Sequence, residues 1–212
     1  MKSPLAERDR DRLIEAMLPN VPFDGWSHAA LRTAARQIGI DPREAEALFP
    51  RGAPEFVATF SRWADRRMLD WLETAPPESD SVTARVRRAV ALRLEIVAPW
   101  REAVRGALSV LAMPPHALLA ARLLYETVDG IWYAAGDMST DFSFYTRRAS
   151  LAGVYSATLL YWLDDKSEGF ADTLAFLDRR LAELRQLAAA RGRFESALGR
   201  LPNPLRFFRE AR

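Results

Sequence analysis

The sequence contains no cysteine and only two histidines, which leaves few residues for common kinds of chemistry. Without cysteine the chain can form neither a disulfide nor a thiolate metal site. His28 and His116 stand far apart, and neither belongs to an E-x-x-H or H-E-x-x-H spacing. Because a four-helix di-iron centre needs two E-x-x-H motifs, we predict no metal and no cofactor.

Other catalytic signatures are also lacking. The chain has no glycine-rich loop of the kind that cradles phosphates, and no histidine is evidently placed to activate a serine. The nearest approach to a carboxylate–histidine motif is Glu126-x-x-Asp129, which lacks the imidazole. We therefore predict that the protein is not an enzyme and has no catalytic residues.

The chain also has little net charge, since it contains 30 basic and 28 acidic residues and its formal net charge is +2. So small a charge gives no argument for nucleic-acid binding. Residues 1–13 lack an apolar core and carry three acids, so they resemble neither a secretory signal nor a mitochondrial transit peptide. The uncharged stretch 149–163 is shorter than the about 20 residues of a membrane span. We expect a protein of the bacterial cytoplasm.

Helical periodicity covers nearly the whole chain, and no convincing alternating strand pattern occurs. Proline and glycine mark the breaks, notably Pro19, Gly39, Pro50 and Pro114, and 76–81 is the best linker candidate. The pattern predicts an all-α protein of about ten helices. The expected domains are an N-terminal module 1–75, a larger helical domain 80–190 and a C-terminal amphipathic segment 191–212.

Residues 25–60 resemble the helix-turn-helix of the TetR family. The matching residues are Gly25 and Trp26 before the second helix, Ala34 and Ala35 inside it, Gly39 in the turn, and Leu48, Phe49 and Pro50 after the third helix. In the expected recognition helix, 41–49, the acids Asp41, Glu44 and Glu46 outnumber Arg43. Acids facing phosphates oppose DNA binding. We interpret the module as a packing element and retain a ligand-responsive TetR-type repressor as the alternative function.

The segment 135–165 carries the most distinctive pattern. Its marks are Ala135, Gly136 and Asp137; Ser139, Thr140, Asp141 and Phe142; Tyr145, Thr146, Arg147 and Arg148; and Tyr155. Upstream matches are Arg88, Ala89, Val90, Arg93, Leu94, Pro99, Trp100, 111–114, Asp129, Trp132 and Tyr133. These residues, over about 86–181, resemble the lipid-binding accessory proteins of ubiquinone biosynthesis, the Coq-nine family. Ala134 and Phe144 depart from the pattern, where some members carry an aromatic residue and a tryptophan.

This resemblance implies a TetR-like fold that does not bind DNA. It also implies a homodimer that holds an isoprenoid lipid or quinone precursor. Members of the family assist a di-iron hydroxylase that acts on a late ubiquinone precursor, and they present the substrate at a membrane. The chain is accordingly expected to associate peripherally with the inner membrane.

Two apolar helical stripes, within 115–135 and 140–163, are the candidate lipid-binding surface. The candidate residues are Leu124, Val128, Trp132, Ala152, Tyr155, Leu159 and Trp162. The small residues Ala149, Ala152 and Gly153 are expected to leave room between the two helices. Ordinary core packing is the alternative for the same stripes.

The candidate partner surface comes from the family signature. Its residues are Asp137, Asp141, Phe144, Tyr145 and Arg148. Phe144 and Arg148 fall off the apolar stripe, so we expect them to be available to the hydroxylase, since aromatics and arginine are enriched at interfaces. For the two acids, capping of the next helix is an alternative role.

The C-terminal segment is the candidate membrane surface. An apolar face with basic neighbours would comprise Phe194, Leu198, Leu201, Leu205, Phe207 and Phe208 with Arg200, Arg206 and Arg209. Such a helix lies in the membrane interface, although Pro202 and Pro204 should kink or interrupt it. A helix packed on its own subunit, or a disordered tail, is the alternative.

Overall fold

The computed structural model describes residues 4–75, 81–136 and 142–198, and only the backbone at 4–6, 142–145 and 187–198. Within these ranges every regular element is helical, which confirms the all-α prediction. The ten α-helices are α1 Pro4–Met17, α2 Val21–Asp24, α3 His28–Gln37, α4 Pro42–Leu48, α5 Ala53–Thr74, α6 Val82–Val97, α7 Arg101–Leu111, α8 Ala117–Ala134, α9 Phe142–Asp164 and α10 Ala171–Leu198. Short 3-10 turns join three of the pairs, at Ala98–Trp100, Pro114–His116 and Glu168–Phe170.

Local signals set the helix ends in the N-terminal module. The Ser27 hydroxyl accepts a hydrogen bond from the Ala30 N–H at 3.3 Å, and the Asp41 carboxylate accepts one from the Arg43 N–H at 2.7 Å. Each therefore caps the helix that follows it. Gly39, with φ +74°, makes the left-handed turn between them.

The N-terminal module is joined firmly to the rest of the chain. α1 packs on α3 and α5, and α3 packs on α4. Between them Ala34 and Ala35 are fully buried, as their small size allows. The Trp26 indole N–H donates a hydrogen bond to the Ala103 carbonyl at 3.0 Å, which ties this module to α7.

The larger module is built around α5 and α8, which pack on each other. α6 lies against both, α9 covers α8, and α10 packs on α9 and α6. The corner between α9 and α10 is held by Asp165, which accepts hydrogen bonds from the N–H of Ser167 (2.8 Å) and of Thr173 (2.9 Å). Burial alone would raise the pKa of Asp165, but hydrogen bonds from the hydroxyls and then the backbone N–H groups of Ser167 and Thr173 lower that pKa to about 2.

The structure differs from the expected organisation at two points. The short helix α2 was not predicted. α10 continues without a break to Leu198, so the domain boundary expected at 190 falls inside one helix. In the described ranges no single helix has the length and apolar composition of a membrane span. The helical stretches Val82–Leu111 and Pro114–Ala134 have this length and composition only when taken together, and the chain bends by 96° between them.

Candidate functional site

An apolar cavity of about 450 Å³ lies between α5, α6, α7, α8 and α9. Its walls include Val57, Phe60, Val97, Val104, Leu108, Leu123, Leu124 and Leu159. This volume is within the range of about 300–1,000 Å³ that is usual for small-molecule sites, which are mostly apolar with a few placed polar groups. The cavity therefore has the form of a binding site for an apolar ligand.

Exposed lining residues mark the open end of the cavity. Ala112, Ala121 and Leu160 line it and are solvent-exposed, Leu160 by 60%. They come from the end of α7, the start of α8 and the second half of α9. The side chains of these three residues are apolar, so an elongated apolar molecule can enter the cavity at this end.

The opposite end of the cavity is polar and buried. The Arg93 guanidinium on α6 donates from Nε to Asp65 Oδ1 (2.7 Å), and from Nη1 to the Tyr155 hydroxyl (2.6 Å). It also donates from Nη2 to the hydroxyl of Ser61 at 3.2 Å. Thr127 donates to both Asp65 oxygens, at 3.0 and 3.1 Å. This Arg93 network joins four helices, and Ser61, Arg93, Thr127 and Tyr155 line the cavity.

Burial decides the charge states in the Arg93 network. Burial by itself lowers the pKa of Arg93, but the neighbouring Asp65 carboxylate raises that pKa above its ordinary value, so the guanidinium stays charged. Burial raises the pKa of Tyr155, against the opposing effect of Arg93. The Tyr155 phenol is consequently protonated at neutral pH and keeps a hydrogen to donate.

The predicted lipid-binding residues occupy two different environments. Leu124, Tyr155 and Leu159 line the cavity. The other four do not: Val128 and Trp162 are buried in the core, and Trp132 and Ala152 are partly buried against it. Trp162 instead packs against the Arg101 guanidinium, whose Cζ lies 4.5 Å from the centroid of the Trp162 ring. Binding of lipid by any of these residues stays a prediction.

The expectation that Gly153 leaves room for a ligand is wrong. Gly153 is exposed, and a Cβ added there would meet nothing within 4 Å. The cavity lies between α9 and helices α5, α6, α7 and α8, and the α9 residues that line it are Tyr155, Ser156, Leu159 and Leu160 rather than this glycine. Gly153 therefore cannot be used to fill the cavity.

The expectation that Arg148 is available to a partner is also wrong. Its side chain is only 6% exposed, because α9 packs on α8 and the guanidinium Nε donates to Asp129 of α8 at 2.7 Å. Phe144 and Tyr145 lie in the first turn of α9, where the backbone alone is described. Asp137 and Asp141 lie outside the described residues.

Most of the predicted membrane surface also lies outside the described residues. Phe194 and Leu198 belong to the last turns of α10, and only their backbone is described. The others, namely Arg200, Leu201, Leu205, Arg206, Phe207, Phe208 and Arg209, follow the last described residue. Their role stays a prediction.

A second, larger depression does not compete as a ligand site. This groove of about 850 Å³ runs beside α1 and α5; five of its ten lining residues are charged, and four of these five form ion pairs with one another. Arg66 contacts Asp11 at 2.6 Å, and Arg67 pairs with Glu15. In the described part of the chain no group of three or more His, Cys, Asp or Glu residues could hold a metal ion.

Sequence reasoning missed Ser61, Asp65 and Thr127, which complete the polar end of the cavity. One signal was present: Val86, Val90, Arg93 and Val97 are spaced by four, three and four, which places an arginine on the apolar face of α6. A charge in such a position is rarely buried without a partner. The pattern therefore indicates a buried acid, although not which one.

Comparison with known proteins tests the resemblance to a family. Residues 117–188 match the COQ9 family model. The resemblance to the COQ9 family is confirmed. The ubiquinone biosynthesis protein COQ9 of Drosophila melanogaster is 35% identical over 182 residues, covering 84% of this chain and 56% of that protein. The Homo sapiens protein of the same name is 34% identical over 182 residues, covering 82% and 57%.

This COQ9-like chain spans little more than half the length of those curated relatives. Its fold also matches the crystal structure of a TetR transcriptional regulator from Nitrosomonas europaea, with a TM-score of 0.67 over 83% of this chain and 97% of that one. At 21% identity this likeness shows the fold alone. The TetR-like fold is thus confirmed.

Proposed function

We propose that the protein is a non-catalytic lipid-binding accessory protein of ubiquinone biosynthesis. It binds an isoprenoid quinone precursor in the apolar cavity and presents it to a di-iron hydroxylase at the membrane. Relatives named as mitochondrial ubiquinone biosynthesis proteins support the pathway. The cavity of about 450 Å³, with apolar walls and an open apolar end, is the observation that supports lipid binding.

Native mass spectrometry tests this function. Protein purified from a host that makes ubiquinone should carry a bound mass that solvent extraction identifies as an isoprenoid quinone or its precursor. Protein that is empty after gentle purification, and that takes up no isoprenoid lipid when one is added, would contradict the proposal.

The hydroxylase is proposed to contact the end of α8 and the start of α9. Tyr133 is 70% exposed there, next to the signature residues, and exposed aromatics are frequent interface anchors. Tyr133→Ala should lower hydroxylase co-purification at least about tenfold without changing the melting temperature. Tyr125→Ala, on the same helix and 47% exposed, is the control and should co-purify normally. Equal retention by both variants would remove Tyr133 from the interface.

Arg148→Glu is a poor probe of the same surface. Because Arg148 is buried and pairs with the half-exposed Asp129, the substitution would bury a carboxylate beside a second carboxylate and destabilise the protein. Loss of co-purification by that variant would therefore report unfolding rather than a lost contact.

We further propose that the C-terminal segment docks the protein peripherally on the cytoplasmic face of the inner membrane. A chain ending at Leu198 keeps the whole of α10 but loses Arg200, Arg206 and Arg209. It should no longer float with anionic liposomes, whereas the full chain should float and be released by salt, because each basic residue near an anionic surface contributes about 1 kcal/mol. Equal flotation of the two chains would assign the anchor elsewhere.

Homodimerisation through the late helices is part of the proposal. Tyr161 of α9 is 42% exposed and stacks on Phe176 of α10, with ring centroids 4.8 Å apart. The two aromatics supply apolar surface that a second subunit could cover.

The TetR-like fold makes a repressor the second candidate function. In α4, however, Glu44 is exposed beside Arg43, and Glu46 pairs with Arg32 at 2.9 Å. The acids at this surface oppose contact with phosphates. We expect no gel shift with random duplex DNA at low salt, where any non-specific affinity is strongest. A salt-sensitive shift would favour the repressor instead.

A further inference from the structure

We infer that the polar end of the cavity is a subsite for a neutral head group that accepts hydrogen bonds, such as a ring carbonyl or ether oxygen. The Tyr155 hydroxyl donates to this oxygen, and the apolar tail of the ligand extends to the open end. This inference deepens the proposed lipid-binding function and rests on it.

The hydrogen-bond arrangement at Tyr155 supports a ligand that accepts. The Tyr155 oxygen receives the Arg93 Nη1–H at 2.6 Å. The hydroxyl hydrogen of Tyr155 has no acceptor among the residues that the structure describes, although the side chain is only 4% exposed. A buried donor without an acceptor is unfavourable, so an oxygen in the cavity would supply what the protein does not.

The charges at this end favour a neutral ligand over an anion. Arg93 is already paired with Asp65, and their side chains are 8% and 12% exposed. Three guanidinium nitrogens are engaged, by Asp65, Tyr155 and Ser61. A carboxylate or phosphate would meet no uncompensated positive charge here and would be repelled by Asp65.

The position of the Arg93 network sets the orientation of the ligand. On α8, Thr127 belongs to this network and Ala120 lies near the open end. At a rise of about 1.5 Å per residue, their separation of seven positions corresponds to about 10 Å. The walls along this distance are apolar, so they match a hydrocarbon tail, whereas the inner end matches an oxygen.

Three probes of matched apolar character test the inference: decylubiquinone, the isoprenoid hydrocarbon squalene, and oleate. Delipidated full-length protein should bind decylubiquinone more tightly than the other two. Tyr155→Phe removes only the hydroxyl and should weaken decylubiquinone binding about 3- to 10-fold, the effect of one hydrogen bond. The affinity for squalene should not change. Tyr125→Phe, which alters an exposed tyrosine of α8, should leave all affinities unchanged.

A spectroscopic readout separates a direct contact from a structural role. The carbonyl band of isotope-labelled decylubiquinone should move to lower frequency when it binds the wild type, and move back in Tyr155→Phe. Unchanged decylubiquinone affinity and an unshifted band would overturn the inference, as would tightest binding of oleate. If squalene and decylubiquinone bind both proteins equally, the subsite fails but the lipid-binding function survives. If the wild type binds no probe, both fail.

Discussion

Replacing Asp65 with alanine is expected to lower the free energy of unfolding by about 3–5 kcal/mol. Asp65 is the only charged partner of Arg93 among the described residues, at 2.7 Å. Its removal leaves a guanidinium without a counter-charge in a buried site, and Thr127 also loses its acceptor. Urea unfolding followed by circular dichroism measures the loss.

An exposed ion pair of similar geometry is the control for this substitution. Arg87 and Asp178 approach to 2.6 Å, but their side chains are 40% and 50% exposed. Because water screens such pairs, Asp178→Ala should cost less than about 1 kcal/mol. If Asp65→Ala lowers the free energy of unfolding no more than Asp178→Ala does, the Arg93–Asp65 pair does not behave as a buried ion pair.

A double variant identifies the cause of the loss. Combining Asp65→Ala with Arg93→Met removes the buried charge together with its partner, and an apolar replacement of a buried pair is often neutral or stabilising. The double variant should therefore be more stable than Asp65→Ala alone. Additive losses would mean that the two side chains stabilise the fold independently.

The sequence was a good guide wherever structure depends on near neighbours. Ser27 and Asp41 could be assigned as helix caps because the acceptor and the N–H groups it serves are two or three residues apart. Pro114 likewise follows the end of the preceding helix, because a proline prevents helix continuation only for residues close to it in the chain. Such rules gave most of the helices in their order, but they missed the short helix α2 and separated the last turns of α10 from the rest of that helix.

The cavity depends on distant packing, and there the same reasoning was only partly successful. Tyr155 and Leu159 share a stripe with Trp162, yet Trp162 lies in the core and outside the lining of the cavity. Leu151 and Thr158 lie on the same face, four residues before Tyr155 and Trp162 respectively, and both are buried without lining the cavity. Periodicity identifies an apolar face, but the neighbouring helices decide which part of that face borders a cavity.

Arg148 shows the same limit for a charged residue. It was interpreted as lying off the apolar stripe and exposed, although it stands seven residues, or two helical turns, before Tyr155 of that stripe. In the structure Asp129, 19 residues earlier in the chain, neutralises it across the contact between α8 and α9. Only the packing of these two helices reveals that pairing.

Filling the cavity should remove bound lipid. Ala120 is half-buried on α8 and lines the cavity near its open end, so Ala120→Phe would place a ring where the tail of the ligand is proposed to lie. A bound lipid tail would have to displace this ring, which reduces the binding free energy by about 1–3 kcal/mol. Each 1.4 kcal/mol corresponds to about tenfold in affinity. We therefore expect the affinity for lipid, measured by titration with native mass spectrometry, to fall about 5- to 100-fold.

The stability of the same variant distinguishes a cavity from a solid core. If the space is open, the ring gains apolar contacts and Ala120→Phe should melt near the wild-type temperature. If the space is closed, overpacking should cost about 1–3 kcal/mol. Ala134→Phe is the control, since Ala134 is half-buried on the same helix but does not line the cavity. Its lipid occupancy should match the wild type, and full occupancy in both variants would show that the lipid lies elsewhere.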